Sequence, residues 1–518
     1  MKRIAIYLFF TLARLLVPHL HAQVPWLTEQ PKRELRAVWV TTLSGLDWPR
    51  NKATSAAGVE RQKQELCQLL DQLKAANINT VLLQTRIRGS VIYPSAIEPW
   101  DVCLTDQYGQ SPNYDPVQFA IEETHRRGME LHAWVVTIPA FKVEATKKMG
   151  RNSLLQTHPE LLKKHNGQYY LDPGLPGTAD YLSSILREFI RKYDVDGIHF
   201  DYIRYPENAP TFPDAATYKK YGKGKGKAEW RRDNITAIVR RLHREVKAEK
   251  PWVKMSSSPV GKYRDTRRYP ARGWNAYDAV HQDAQGWLRE GIQDMLFPMM
   301  YFTGDHFYPF ALDWREGAYG RYVAPGLGIY FLHPSERDWD LSVITRELCY
   351  LRRQGLNGQA FFRTKFLTDN TKGLYDYLQQ VFYAYPALPP TYPWIDDEAP
   401  SKPEGFTLTC IDNQTSELNW QPSTDNMAQG GIRYNVYAST EYPVDTSRPE
   451  NLIATLLGEP RYTYSSLAAY LYGLNLAVTA IDRCGNESAP AQLPPVRKMP
   501  PTGRGLDLYR FGPKPVQD

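Results

Sequence analysis

The chain has 518 residues, of which 42% are hydrophobic and 23% charged, with 13 Trp and 34 Tyr. That composition excludes a disordered polymer, and the length exceeds what one hydrophobic core usually serves. The net charge of +7 is modest and its basic residues are spread out, so no nucleic-acid footprint is read. The densest basic stretch, Lys219, Lys220, Lys223, Lys225, Lys227, Arg231 and Arg232 with Gly222, Gly224 and Gly226 between them, reads as a solvated loop.

The N-terminus carries Lys2 and Arg3, an apolar run from Ile4 to Val17, and Leu20-His21-Ala22, which is the layout of a signal peptide over residues 1–22. No Cys follows it to take a lipid anchor, and no later stretch reaches the ~18 apolar residues that span a bilayer. Secretion to the periplasm or cell envelope is therefore expected, with no membrane span. Export would permit disulfides, yet Cys67, Cys103, Cys349, Cys410 and Cys484 are an odd, sparse set rather than a framework. Cys410 and Cys484 fall in the same C-terminal module, and whether they pair is left open. No Cys spacing resembles a metal site, so neither metal nor cofactor is expected.

Apolar runs then alternate with amphipathic stretches. Arg36 to Leu43 reads as a strand, Glu60 to Ala76 as a helix, Thr80 to Ile87 as a strand and Pro116 to Gly128 as a helix. Strand Met129 to Thr137, helix Thr178 to Asp194, strand Gly197 to Arg204, helix Arg231 to Lys250 and strand Val253 to Pro259 follow. Helix Asp283 to Gly291, strand Asp294 to Phe302, strand Tyr322 to Tyr330, helix Leu341 to Gln354, strand Gln359 to Phe366 and helix Gly373 to Tyr383 complete the series. Near-continuous apolar strands separated by helices require a parallel sheet covered on its outer face. A doubly wound sheet would show a Gly-rich phosphate turn after its first strand, and none is present. An α/β fold of the (β/α)₈ TIM-barrel type over residues 33–385 is predicted, with its active face built from the long loops Trp48 to Gly58, Ile92 to Asn113, Pro139 to Leu171 and Tyr205 to Tyr221.

A Pro-rich linker at 386–403, with Pro389, Pro390, Pro393 and Pro400, precedes a different pattern. Phe406, Leu408 and Cys410, then Leu418 and Trp420, then Tyr434, Val436 and Tyr437, then Leu476, Val478 and Ala480 alternate as short strands of a β-sandwich over 404–492. The early Trp, the Tyr-x-Val-Tyr strand and the closing Ala-Ile-Asp-x-x-Gly-Asn-Glu-Ser resemble a fibronectin type III domain. Residues 493–518 read as a loose tail.

Chemistry is expected at the end of the fourth strand, Gly197-Ile198-His199-Phe200-Asp201-Tyr202-Ile203-Arg204. If Ile198 and Phe200 face the helices, the two-residue period turns His199, Asp201 and Ile203 into the barrel, with Asp201 near the mouth and His199 one layer deeper. The competing role for Asp201 is a structural pair with an Arg such as Arg204, and His199 is either catalytic or a satisfied core residue. Asp196, at the strand's other end, is read as structural.

These segments resemble a known family. Leu35-Arg36-Ala37-Val38-Trp39-Val40-Thr41, Gln84-Thr85-Arg86-Ile87-Arg88-Gly89 with Tyr93-Pro94-Ser95 and Glu98-Pro99-Trp100, His132-Ala133-Trp134-Val135, the Asp201 segment and Pro298-Met299-Met300-Tyr301 are similar, in that order, to the bacterial glycosyl-hydrolase-like ten family. The resemblance implies a TIM-barrel glycosidase, and an association of some members with peptide-free peptidoglycan strands. Two positions depart from the family pattern: Tyr202 stands where many members have a second Asp, and Val136-Thr137-Ile138 where they have an Asn.

Glycoside cleavage ordinarily takes two carboxyl groups. Asp283 and Asp305, both on mouth-side loops, are the candidates to accompany Asp201, with Asp47 and Glu98 as further candidates; each taken alone reads first as an ordinary turn or cap acid. A substrate acetamide in place of the nucleophile would leave a single acid sufficient. Arg86, Arg88, Trp100, Trp134, His199, Tyr202, Trp287 and Tyr301, with Trp48, are the candidate substrate contacts, since aromatic planes suit the apolar faces of sugar rings. The expected function is an exported glycoside hydrolase acting on an envelope glycan, with a wall or envelope partner for the sandwich. The alternative is a catalytically silent glycan-binding barrel.

Overall fold

The computed structural model describes residues 30–269, 273–412, 414–465 and 473–495. The signal segment 1–22 and most of the 493–518 tail lie outside them. Among the described residues no helix is long and apolar enough to cross a membrane. The chain divides into two compact units at Pro390/Thr391.

The first unit is a TIM-like α/β domain whose strands β1 (Leu35–Val40), β2 (Thr80–Arg86) and β3 (Glu130–Val136) are buried throughout. Strands buried on both faces must be apolar along their whole length, which is why they show little alternation. Next in the chain comes a small antiparallel sheet of β4 (Pro139–Lys142), β5 (Leu162–His165) and β6 (Gln168–Leu171), inside what the sequence shows only as a long loop. The parallel set resumes with β7 (Gly197–Asp201), β8 (Lys254–Ser257), β9 (Met295–Leu296), β10 (Tyr322–Val323), β11 (Gly326–Leu327) and β12 (Gly358–Phe361).

The parallel order runs β10-β9-β8-β7-β3-β2-β1-β12-β11. Its two ends are halves of one strand, because β10 pairs with β9 through Tyr322 and Met295 while β11 pairs with β12 through Gly326 and Ala360. Met299 also bridges to Gly326, so the sheet closes on itself. The sixth and seventh strands are shorter than the sequence predicts, because Pro298 and Pro325 lack the N–H that a continuous ladder needs. Close packing inside the barrel also fixes glycine: a Cβ on Gly197 would lie 2.5 Å from His132 Nδ1.

Helices α1 (Ala56–Ala75), α2 (Pro116–Arg126), α3 (Pro176–Lys192), α4 (Lys227–Glu249), α5 (Ala284–Arg289), α6 (Tyr308–Glu316) and α7 (Leu341–Arg353) follow the strands. Ser55, Asp115, Asp283 and Asp340 cap four of them by accepting backbone N–H bonds, satisfying donors that the first turn leaves orphaned. The predicted helix Gly373 to Tyr383 is instead a short α-helix, Leu374–Tyr377, running into a π-helical turn, Leu378–Phe382. The basic stretch is not a free loop either: Arg231, on α4, is buried against Asp214, with Nε and Oδ2 2.8 Å apart.

The Pro-rich stretch 386–403 is anchored rather than free. Leu388 exchanges backbone hydrogen bonds with Lys32 and Glu34, and the Ala387 carbonyl accepts from Asn79, all within the first unit. From Thr391 the stretch belongs to the second unit, where Tyr392 N–H donates to Cys484 and Ser401 N–H to Thr424.

The second unit contains β13 (Glu404–Cys410), β14 (Thr415–Gln421), β15 (Arg433–Ser439), β16 (Leu452–Leu457), β17 (Arg461–Ser465), β18 (Asn475–Ile481) and β19 (Ala491–Gln492). They form two antiparallel sheets, β13-β14-β17 and β16-β15-β18-β19. Leu418 and Trp420 from one sheet and Tyr434, Val436, Val478 and Ala480 from the other share a core. All five cysteines are free thiols.

Candidate active site

His199 and Asp201 both point into the barrel, as the strand period requires. Trp39 Nε1 donates to His199 Nε2 at 3.1 Å, which makes that nitrogen the acceptor and leaves Nδ1–H to face Ser256 Oγ at 2.9 Å. Burial, with a smaller contribution from His132, pushes the His199 imidazole well below its usual range. Both ring nitrogens are thus committed, and the ring is a neutral spacer beneath the site.

Asp201 stands one layer above it, 6% exposed. Its Oδ1 accepts from Ser258 Oγ at 2.9 Å and from Tyr202 N at 2.7 Å, while its Oδ2 accepts from Trp134 Nε1 at 3.1 Å. Burial raises the carboxyl above the ordinary aspartate range, opposed by the Ser258 hydroxyl, the Arg204 charge and the Tyr202 and Trp134 bonds. Tyr202 turns to φ 51° immediately after, and the strand ends there rather than at Arg204. Arg204 is not an ion-pair partner of Asp201. Its guanidinium lies 4.7 Å over the Tyr202 ring and 5.3 Å over Trp274, and its NH2 is 3.7 Å from Glu207.

The remaining candidates separate clearly. Arg86 is buried, pairing with Glu98 at 2.6 Å and donating to the Val136 and Thr137 carbonyls, so it braces the end of β3 instead of facing substrate. Tyr181 adds a hydroxyl to the same Glu98 at 2.7 Å. Trp48 and Trp287 are fully buried, their indoles bonded to the Gln62 carbonyl and to Thr236, and belong to the packing around the barrel. Asp283 caps α5 and accepts from the Tyr263 hydroxyl at 2.6 Å. Asp305 is exposed in a 3-10 turn beside Tyr269. Asp47 ties the loop after β1 to the loop after β12, accepting from Thr41 N and from Arg363 at 2.7 Å. Trp100 is half-buried, its backbone paired to Val91.

Tyr301 belongs to the Asp201 surroundings: its ring stacks on Phe362 at 5.5 Å, and burial followed by the Asp201 charge pushes its phenol far up. Arg88 and Tyr202 line a cleft of about 300 Å³ with Tyr170, Arg204, Tyr205 and Glu207. Among the described residues Arg88 makes no ion pair, which leaves its charge available to a ligand. Asn166, Glu207 and Asn208 also line a wider groove of about 760 Å³ that reaches Lys227, Arg231 and His281. Burial and the neighbouring Arg231 push His281 down to about 4, so it is neutral at physiological pH.

Sequence reasoning missed Ser258, Trp39 and Glu207. The first two had a visible signal. Ser256 and Ser258 stand two apart at the end of β8, and Trp39 sits on β1; both place a polar tip inside the barrel.

The family model described as "Glycosyl hydrolase-like 10" matches residues 34–318. "Glycosyl hydrolase YngK" of Bacillus subtilis (strain 168) is 32% identical over 490 residues, covering 90% of this chain and 94% of the relative. "Glycosyl hydrolase DigH" of Escherichia coli (strain K12) is 33% identical over 312 residues, covering 56% of this chain and 70% of that one. Among solved structures, the PgaB (BpsB) glycoside hydrolase domain from Bordetella bronchiseptica aligns with a TM-score of 0.47 at 14% identity, covering 67% of this chain and 99% of that domain. By its sequence match over the barrel and its relationship to YngK, this chain belongs to the glycosyl hydrolase-like 10 family.

Proposed function

We propose that this protein is an exported glycoside hydrolase cutting a bacterial envelope glycan, peptide-free peptidoglycan strands or a related polysaccharide. The observation that carries the reading is Asp201: a buried carboxyl group with raised proton affinity at the barrel mouth, beside a groove lined by aromatic rings and cations. A carboxyl group with raised proton affinity suits the role of acid toward a leaving glycosidic oxygen. As the C–O bond breaks, the Asp201 proton passes to the departing oxygen and the carboxylate formed is held by Ser258, Tyr202 N–H and Trp134. The anomeric carbon is taken by a water that gives its proton to Glu207, on the same cleft, or first by the substrate's own acetamide oxygen and then by water, which returns a proton to the Asp201 carboxylate.

Arg88 supports the peptide-free substrate. Removing the stem peptides uncovers a lactyl carboxylate on every muramic acid, and an unpaired guanidinium on the cleft wall suits such an anion. Arg88→Gln is therefore expected to raise KM for peptide-free strands about tenfold while leaving kcat within about twofold. The assay counts new reducing ends on peptide-free strands and on intact sacculi. Binding without new reducing ends would instead support the silent glycan-binding barrel, and equal KM values in both proteins would remove Arg88 from substrate recognition.

The strand order of the second unit, three strands facing four, supports a fibronectin type III-like sandwich that attaches the barrel to wall material or an envelope partner. A chain ended at Pro390, where the first unit ends, is expected to keep its turnover of soluble short glycans and to lose retention on insoluble wall. Loss of soluble turnover in that folded chain would show that the barrel does not work alone.

A further inference from the structure

Three acids of the second unit meet from separate loops. Asp396 lies in the segment leading into β13, Asp425 between β14 and β15, and Asp482 in the turn after β18. Each brings a carboxylate oxygen within 4.8 Å of the other two. Asp396 is 9% and Asp482 5% exposed.

The hydrogen bonds around them cover only part of this charge. Asp482 accepts twice from Asn486, through N and Nδ2, both at 2.8 Å. Asp396 Oδ1 accepts from Asn426 Nδ2 at 3.1 Å and Glu398 N at 3.3 Å, and Asp425 Oδ2 accepts from Met427 N at 3.1 Å. The other oxygens, Asp396 Oδ2 and Asp425 Oδ1, are buried without a hydrogen-bond partner, and none of the three acids forms an ion pair among the described residues. Clustered, desolvated carboxylates are costly unless a counter-charge sits between them.

We propose that the second unit binds a divalent cation, Ca²⁺, between Asp396, Asp425 and Asp482. The three carboxylates offer only oxygen donors, which selects a hard cation. Their origin in three irregular loops suits the flexible, high-coordination geometry of Ca²⁺ better than the strict octahedron of Mg²⁺. A bound ion takes up the two unpartnered oxygens and links the segment that enters this unit to two loops of its sheets. Its affinity belongs with that of extracellular modules, Kd of about 10⁻⁴–10⁻³ M.

The test uses the full chain, freed of metal by a chelator, in calorimetric titrations with CaCl₂ and separately with MgCl₂. Saturating Ca²⁺ is expected to raise the unfolding transition of the second unit by about 5 °C, with Mg²⁺ giving clearly less. In Asp425→Asn and Asp396→Asn, Ca²⁺ should bind at least about tenfold more weakly, and the chelated variants should melt no lower than the chelated parent, since each loses a repelling charge. The proposal is overturned by an absent Ca²⁺ effect in the parent chain, by an equal effect of Mg²⁺, or by an undiminished effect in both variants.

Discussion

Asp201→Asn is expected to lower kcat on glycan strands by at least ~10²-fold, the usual scale for losing a positioned acid or base, while the protein stays folded. The substitution keeps the shape of the side chain and leaves an amide in place of the carboxyl oxygens that accept from Ser258, Tyr202 and Trp134. Folding should survive because the variant removes a buried group whose charged form burial disfavours. The pH profile adds a second readout. With the folded carboxyl raised above the usual aspartate range, the fraction able to donate a proton is greatest at low pH and declines as pH rises through that raised value. The alkaline fall of kcat in the parent chain should therefore lie above where an ordinary aspartate would place it, and be missing from the residual activity of the variant. Parental turnover in a folded Asp201→Asn protein would end the assignment.

The largest expected stability loss lies at Glu98. Glu98→Ala leaves Arg86 buried and unpaired, and breaking such a pair costs about 3–5 kcal/mol. Burial alone would weaken the Arg86 charge; Glu98 more than offsets it and raises the guanidinium's hold on its proton. Urea unfolding of Glu98→Ala should give a midpoint lowered accordingly, and the double variant Arg86→Met/Glu98→Leu should recover most of the loss, because no lone charge is left behind. A single variant as stable as the parent would show that Arg86 has found water or another partner. The bracing also reaches the site: Arg86 holds the Thr137 carbonyl, and Thr137 in turn donates from N and Oγ1 to the Asp201 backbone at 2.9 Å.

The inward face of β7 was legible from the sequence because period two needs only local order. What holds Asp201 was not, since Trp134 and Ser258 arrive from β3 and β8 and meet it only when the sheet is assembled. Trp48 and Trp287 show the converse limit: an aromatic residue near a predicted loop is read as rim, but only packing says which way its ring turns. Asp283 carried a readable sign of its role, since a turn acid ahead of Ala-Gln-Gly is a helix cap. The small sheet β4–β6 also had its signal, as Asn166-Gly167 takes positive φ at both residues, the turn that closes a tight hairpin. The acids of the second unit escaped notice because Asp396, Asp425 and Asp482 are far apart in sequence and follow no ligand spacing.

The closure of the first unit sets an order on its assembly. Strand β1 pairs with β12, Leu35 against Gly358, so nearly the whole unit separates two neighbours in the finished ring. A nascent chain that has not yet delivered residues 322–361 carries β1 and β9 as bare edges, with unpaired N–H and C=O rows and no seam to join them. Such a topology folds slowly and is exposed to misassembly for as long as its last strands are missing. Truncations within the seam should therefore aggregate rather than give smaller soluble domains, because an incomplete ring has no intermediate closed form.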